Sequence, residues 1–284
     1  MADLRNDNLV STEWLEANLS QPDLVVVDGS WYLPDAGRDP KAEYAERHIP
    51  GAVFFDIDQI AERDSDLPHM LASPIAFSSA MRRLGIGDGQ RIIVYDGMGV
   101  FSAPRVWWTL KVMGVRDVAV LDGGLPKWIS EDRPVNDEPV SRPERHFSAR
   151  LDHSAVADLD DMMKRINQAG SQIVDARSAG RFSGSEPEPR PGMRSGHLPG
   201  SHNVHYAGLL QDGQLRDEAA LRSAFEAAGV DITRPITTTC GSGISAAILT
   251  LALTTLGHRK LSLYDGSWTE RGGREDTPIE TAAS

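Results

Sequence analysis

Four stretches of this chain occur twice, in the same order. DLVVVDGSW (23–31) returns as SQIVDARSA (171–179), both β-branched runs ending in an aspartate. ERHIPGAVFFD (46–56) returns as SGHLPGSHNVH (195–205), with a shared His-apolar-Pro-Gly core. RLGIGDGQRIIVYDG (83–97) returns as AAGVDITRPITTTCG (227–241), and AVLDGGLPKW (119–128) as LSLYDGSWTE (261–270). Matched blocks in one fixed order imply a structural unit laid down twice along the chain. At 284 residues the chain is long enough for two cores of ordinary size.

Within each copy, short apolar runs alternate with amphipathic stretches, the pattern of β-α units around a parallel sheet. VVVDG, RIIVYDG and VAVLDGG read as buried strands, each followed by turn residues. STEWLEANL opens on a Ser/Thr cap with an acid in its first turn, which predicts a helix. SAPRVWWTLKVMG and SGISAAILTLALTTLG predict helices ending at glycine. Residues 132–147 (DRPVNDEPVSRPERHF) combine proline and charge without periodicity and read as a linker. The expectation is an α/β protein of two domains, 1–145 including the linker and 146–284, each a mainly parallel β-sheet flanked by α-helices.

Composition narrows the function. The formal net charge of −12 disfavours nonspecific binding to nucleic acid or to an anionic membrane. An anionic substrate would therefore need a local basic pocket. A single cysteine forms no internal disulfide, and the N-terminus carries acids and no long apolar run. AAILTLALTTLG is too short and too threonine-rich to span a bilayer. The cytoplasm is the expected compartment. Lone thiol and dispersed histidines match no metal-ligand spacing, no dinucleotide fingerprint occurs, and no cofactor is expected.

That one cysteine, Cys240, falls opposite Asp96 when the copies are aligned. In both, a β-branched strand ends at this residue and a helix follows within a few positions. Ligands of open parallel sheets bind at the carboxyl ends of strands. C-G-S-G-I-S would wrap a tight loop there, with Gly241 and Gly243 letting successive N–H groups converge on one anion. Such surroundings favour the thiolate form of a cysteine. The bland alternative, a small buried hydrophobe, fits the glycines and the strand-end position less well.

The chain resembles the tandem-domain rhodaneses, the thiosulfate and 3-mercaptopyruvate sulfurtransferases. YAERHIPGAVF (44–54) is similar to the N-terminal rhodanese signature and LYDGSWTE (263–270) to the C-terminal one, while SAPRVWW (102–108), LDGG (121–124) and GRFSGSEPEPR (180–190) match further runs. The resemblance implies two rhodanese-like domains, the first having lost its cysteine to Asp96. It implies sulfur transfer through a Cys240 persulfide, from a small anionic donor to thioredoxin, a small thiol or cyanide.

Within the family, thiosulfate-using members typically carry Arg and Lys after the cysteine; mercaptopyruvate-using members carry C-G-S-G-V-T. Cys240-Gly241-Ser242-Gly243-Ile244-Ser245 is close to the second pattern, with Ile and Ser as departures. Arg271 is another departure, standing where the C-terminal signature usually has an aromatic residue. The physics agrees. Thiosulfate is a dianion that releases stable sulfite, whereas mercaptopyruvate leaves as an enolate that benefits from proton delivery.

By resemblance Arg181 and Arg190 bind the substrate, arginine's planar fork suiting a carboxylate; the alternative is that they pair with Glu186 and Glu188. Arg194 reads as solvated charge. The segment 54–71 carries a proton relay by resemblance onto Asp58, His69 and Ser242, with serine–histidine–acid logic. It would require an active site at the domain interface. His48 and His197 are expected to hold the turn after a helix, Trp107, Trp108, Trp128 and Trp268 to pack, and Asp28 and Asp175 to serve structure. The competing functions are a thiosulfate:cyanide sulfurtransferase, a cysteine phosphatase and a non-enzymatic sulfur carrier or regulatory module. Ala246, where a phosphatase loop needs arginine, argues against the second, and the presence of Cys240 against the third.

Overall fold

The computed structural model describes residues 4–166 and 170–281. Two sheets of five strands carry the architecture. The first contains β1 (Leu9–Val10), β2 (Leu24–Asp28), β3 (Val53–Phe54), β4 (Arg91–Tyr95) and β5 (Val118–Leu121), in the order β1-β5-β4-β2-β3. The second contains β6 (Val156–Ala157), β7 (Gln172–Asp175), β8 (His202–Asn203), β11 (Ile236–Thr239) and β12 (Leu261–Tyr264), in the order β6-β12-β11-β7-β8. Two further short strands, β9 (Leu210–Gln211) and β10 (Gln214–Leu215), lie between β8 and β11 in sequence. Every pairing within the two larger sheets is parallel, and the two orders are the same when read strand for strand. The duplication inferred from the four blocks is thus a duplication of topology.

Two compact units result. One holds Leu71–Asp152, Asp212–Leu215 and the described residues up to Glu62; the other holds Arg63–Met70, His153–Gln211 and the described residues from Arg216 onward. The excursion Arg63–Met70 lies early in the sequence but packs with the second unit. The proline-rich stretch forms no regular element and is tied to the first unit: Arg82 donates to Phe147 O at 3.0 Å, and the Phe77 and Phe147 rings meet edge-on at 5.8 Å.

The central strands are buried on both faces, as a parallel sheet covered on either side requires. In the first unit Val26, Ile93, Ala119 and Leu121 pack with Leu15 and Trp128; in the second Ile173 and Tyr264 pack with Met162, Leu198 and Trp268. All three predicted helices form, at Thr12–Asn18, Ala103–Val112 and Ala246–Thr255. Ser11 caps the first, its hydroxyl accepting from Trp14 N at 3.1 Å. The tryptophans are core residues, and the Nε1 groups of Trp128 and Trp268 donate to Pro134 O and Arg194 O.

The repeated His-apolar-Pro-Gly block performs one job twice. His48 Nδ1 contacts Tyr44 O at 2.8 Å and His197 Nδ1 contacts Phe182 O at 2.8 Å. Each imidazole stacks on the aromatic ring whose carbonyl it binds, with centroids 4.3 and 3.8 Å apart. Asp28 and Asp175 are structural too. Asp28 accepts from Ser30 N at 2.9 Å, and burial pushes its carboxyl up to about 6. Asp175 is clasped by the guanidinium of Arg177, with Nη2 at 2.7 Å.

Candidate active site

Each sheet has a switch point, where the chain leaves one edge and resumes on the other side of a central strand: between β2 and β4 in the first, between β7 and β11 in the second. Crevices outside the carboxyl ends of strands at such points are where ligands of open α/β sheets bind. Asp96 follows β4 and Cys240 follows β11, so the aligned pair occupies the two switch points.

The Cys240 loop is built from backbone. Gly243 sits at φ +82°, a left-handed conformation that favours glycine, and there its N–H points at the Cys240 sulfur, 3.1 Å away. The loop is fastened from the segment after β12: Trp268 N donates to Cys240 O at 3.0 Å and Thr269 N to Gly241 O at 2.9 Å. Ser267 completes this brace, its hydroxyl donating to Tyr264 O at 2.9 Å and lying 3.4 Å from Cys240 N as acceptor. Ser267 adopts φ +50°, which costs a non-glycine residue free energy; the equivalent residue of the other copy is Gly124, at φ +53°. That exchange within the LDGG/YDGS block is the sequence signal by which Ser267 could have been found.

Cys240 is 2% exposed, with Ser242 and Ile244 also buried and Gly241 and Ser245 partly exposed. Its surroundings include an ion-pair ladder. The fully buried guanidinium of Arg177 binds Asp175 and Glu188, and Glu188 also binds Arg181, whose Nη2 lies 2.5 Å from Glu188 Oε2. Arg181 therefore does pair with Glu188, as the alternative reading held, while Glu186 accepts from Ser178 Oγ. Yet Arg181 also leans on the cysteine loop: a methyl group added at Gly241 would come within 3.0 Å of its Nη2. Arg190 is partly buried in the segment after the short helix Ala179–Ser183 that carries Arg181.

The remaining predicted residues divide. His69 belongs to the second unit with Cys240 and Ser242; it is buried and holds φ +63°, a left-handed conformation uncommon among non-glycine residues. Asp58 belongs to the first unit and is exposed, with Oδ2 accepting from Trp31 Nε1 at 3.2 Å. Arg194 corrects its expectation. Instead of standing in solvent it ties the C-terminal segment down, donating to Arg271 O at 3.0 Å, Thr277 O at 3.1 Å and Thr277 Oγ1 at 2.6 Å. Arg271 is itself fully buried, with Nη2 donating to Pro278 O at 2.8 Å.

Two residues near the thiol escaped the sequence reading. His205 and Tyr206 follow β8, with rings edge-to-face at 4.9 Å. Burial raises the Tyr206 hydroxyl above its ordinary pKa; Arg181 pulls it down and Cys240 pushes it up. Burial and Arg181 together lower the His205 imidazole.

A duplicated doubly wound α/β unit with a strand-end thiol in one copy defines the class. The rhodanese-like domain family matches residues 11–131 and 156–271. The chain is 41% identical to the 3-mercaptopyruvate sulfurtransferase of Escherichia coli K12, over 95% of this chain and 97% of that one. It is 41% identical to the thiosulfate sulfurtransferase of Bos taurus, over 92% and 91%. The crystal structure of SseA from Escherichia coli, a 3-mercaptopyruvate sulfotransferase, superposes with a TM-score of 0.85 at 39% identity, covering 92% of this chain and 98% of SseA. The chain belongs to the rhodanese family as two tandem domains, and it is a sulfurtransferase. Among the described residues no helix is long and apolar enough to cross a membrane.

Proposed function

We propose that the sulfur donor is 3-mercaptopyruvate and that Cys240 carries the sulfur as a persulfide. The observation that carries this reading is the make-up of the loop. From Gly241 to Ser245 it holds no cationic side chain, and an N–H group meets the sulfur. The nearby guanidinium, Arg181, carries a single charge and is already paired with Glu188, so it offers little excess positive charge to the dianion thiosulfate. In this account the Cys240 thiolate attacks the donor sulfur, an S–S bond forms and the C–S bond breaks. Its electron pair leaves as the enolate of pyruvate, and the donor's thiol proton ends on carbon. An acceptor thiolate or cyanide then takes the outer sulfur, and the S–S electron pair returns to Cys240.

Residues 146–284 are the working half in this proposal, and residues 1–145, with Asp96 in place of the nucleophile, the silent one. Ser242, His69 and Asp58 are the proposed proton-handling set, and Gly241, Gly243, Ile244 and Ser245 the walls and N–H donors of the cradle. The cytoplasm is the proposed compartment, with thioredoxin or a small thiol as acceptor. The test is intact-protein mass after exposure to each donor. A gain of one sulfur atom from mercaptopyruvate, reversed by thiol, is the expected result; loading by thiosulfate alone would transfer the proposal to the other donor.

Arg190 makes a second test. Its proposed role is a charge-assisted hydrogen bond to the substrate, of the strength that changes affinity about tenfold to a hundredfold. Arg190→Gly is expected to raise KM for mercaptopyruvate by that factor with a smaller change in kcat. A KM equal to that of the parent enzyme would take Arg190 out of the pocket.

A further inference from the structure

Tyr206 is placed by two hydrogen bonds in series. Its N–H donates to Ala176 O at 3.2 Å, and the N–H of Ala176 donates to Thr239 O at 2.9 Å. Thr239 is the last residue of β11, and Cys240 follows it. Tyr206, just beyond β8, Ala176, just beyond β7, and Thr239, at the end of β11, thus follow one another at the carboxyl-end side of three adjacent strands. Along the backbone Tyr206 is two hydrogen-bonded steps from the residue that precedes Cys240. The ring is partly buried, steadied by the edge-to-face contact with His205, and the turn that carries it packs on the helix Ala246–Thr255 behind the cysteine. Its hydroxyl lies in the electrostatic field of both Cys240 and Arg181.

Those two groups are the ones that would hold the ends of the donor, the sulfur at Cys240 and the carboxylate at Arg181. The keto group lies between those ends. This step therefore rests on mercaptopyruvate as the donor. We propose that Tyr206 is a catalytic residue of the loading half-reaction, its hydroxyl donating a hydrogen bond to the donor's keto oxygen as the C–S bond breaks. The electron pair of that bond moves into the enolate, so negative charge grows on the oxygen Tyr206 holds. A donor aimed where charge develops acts on the barrier and not on ground-state binding. Tyr206 keeps its proton throughout; burial and the nearby sulfur, which raise its pKa, keep it a donor rather than an acid. The thiol proton of the donor is the one delivered to carbon.

The experiment is Tyr206→Phe, which retains the ring and its contact with His205. Single-turnover loading from mercaptopyruvate should slow about tenfold to a hundredfold, with little change in KM. Unloading of the persulfide to a small thiol, in which no enolate forms, should stay within about twofold. The unloading rate doubles as the check that the variant is folded. Equal slowing of both half-reactions, an effect on KM alone, or undiminished loading would each overturn the assignment. Failure of the parent enzyme itself to load from mercaptopyruvate would overturn the donor reading, and the Tyr206 proposal with it.

Discussion

Cys240→Ser is expected to abolish sulfur transfer, to below about one part in a thousand of the parent rate, while leaving the fold intact. The expectation of an intact fold comes from shape. Serine differs by one atom, and its oxygen can accept from Gly243 N as the sulfur does at 3.1 Å. The loop's other fastenings, Trp268 N to Cys240 O and Thr269 N to Gly241 O, involve only backbone and are untouched. The expectation of lost activity comes from chemistry. A hydroxyl is protonated at neutral pH and a poor nucleophile toward sulfur, and no O–S linkage can stand in for a persulfide that must form and be released in each cycle. The measurements are steady-state turnover, mass after exposure to donor, and the thermal midpoint. Turnover within tenfold of the parent, or a sulfur atom gained by the serine variant, would remove Cys240 from the chemistry. The low exposure of the thiol does not weaken the expectation, because Gly241 and the Arg181 and Tyr206 side chains are only partly buried.

What the sequence revealed of this site, it revealed through the repeat. Asp96 and Cys240 were alignable because strand ends and the glycines after them are local features, fixed by β-branched runs and turn chemistry. The same holds for His48, whose partner Tyr44 belongs to the helix just before its turn, whereas His197 reaches back across the intervening loop to Phe182. Contacts made across the fold left no such mark. Arg194 looked like one more charge in an acidic, proline-rich loop; its value lies in carbonyl groups of Arg271 and Thr277, which nothing local identifies as wanting a donor. Tyr206 became visible only when the strand order set β8 beside β7 and β7 beside β11. The membership of Arg63–Met70 in the second unit was equally hidden, since sequence order places that segment well inside the first copy. Arg181 shows a mixed case. The choice between substrate and Glu188 was posed by sequence, and the structure gives it both a carboxylate partner and a place against Gly241.

Asp96→Ala is expected to cost about 3 to 5 kcal/mol of stability, a loss as large as the biggest core truncations. Asp96 is 1% exposed, and its carboxylate gathers four backbone N–H groups of its own loop. Oδ1 accepts from Met98 at 2.8 Å; Oδ2 accepts from Phe101 at 2.8 Å, Ser102 at 2.9 Å and Ala103 at 2.8 Å. Two of those donors, Ser102 and Ala103, are the cap and the first residue of the helix Ala103–Val112, whose first N–H groups have no partner within the helix. Alanine would take the carboxylate acceptor away from all four. Each buried orphan costs about 1–3 kcal/mol, and relaxation of the loop recovers part of the sum. Asp96→Asn keeps acceptors but sets an NH2 group against N–H donors, so an intermediate loss is expected. The contrast lies in the other copy. There, among the described residues, the side chain at the same strand end accepts from one N–H, that of Gly243, so Cys240→Ala should cost about 1 kcal/mol or less beyond its small cavity. Denaturant unfolding of both variants measures the difference. A loss below about 1 kcal/mol for Asp96→Ala would mean the carboxylate is not what holds that loop. A large gap between the variants would mean that the copy carrying Asp96 fills its strand-end loop with a permanent occupant, a carboxylate of its own chain. The copy that carries Cys240 would then hold its strand-end loop less by this residue's side chain than by backbone bonds such as Trp268 N to Cys240 O and Thr269 N to Gly241 O.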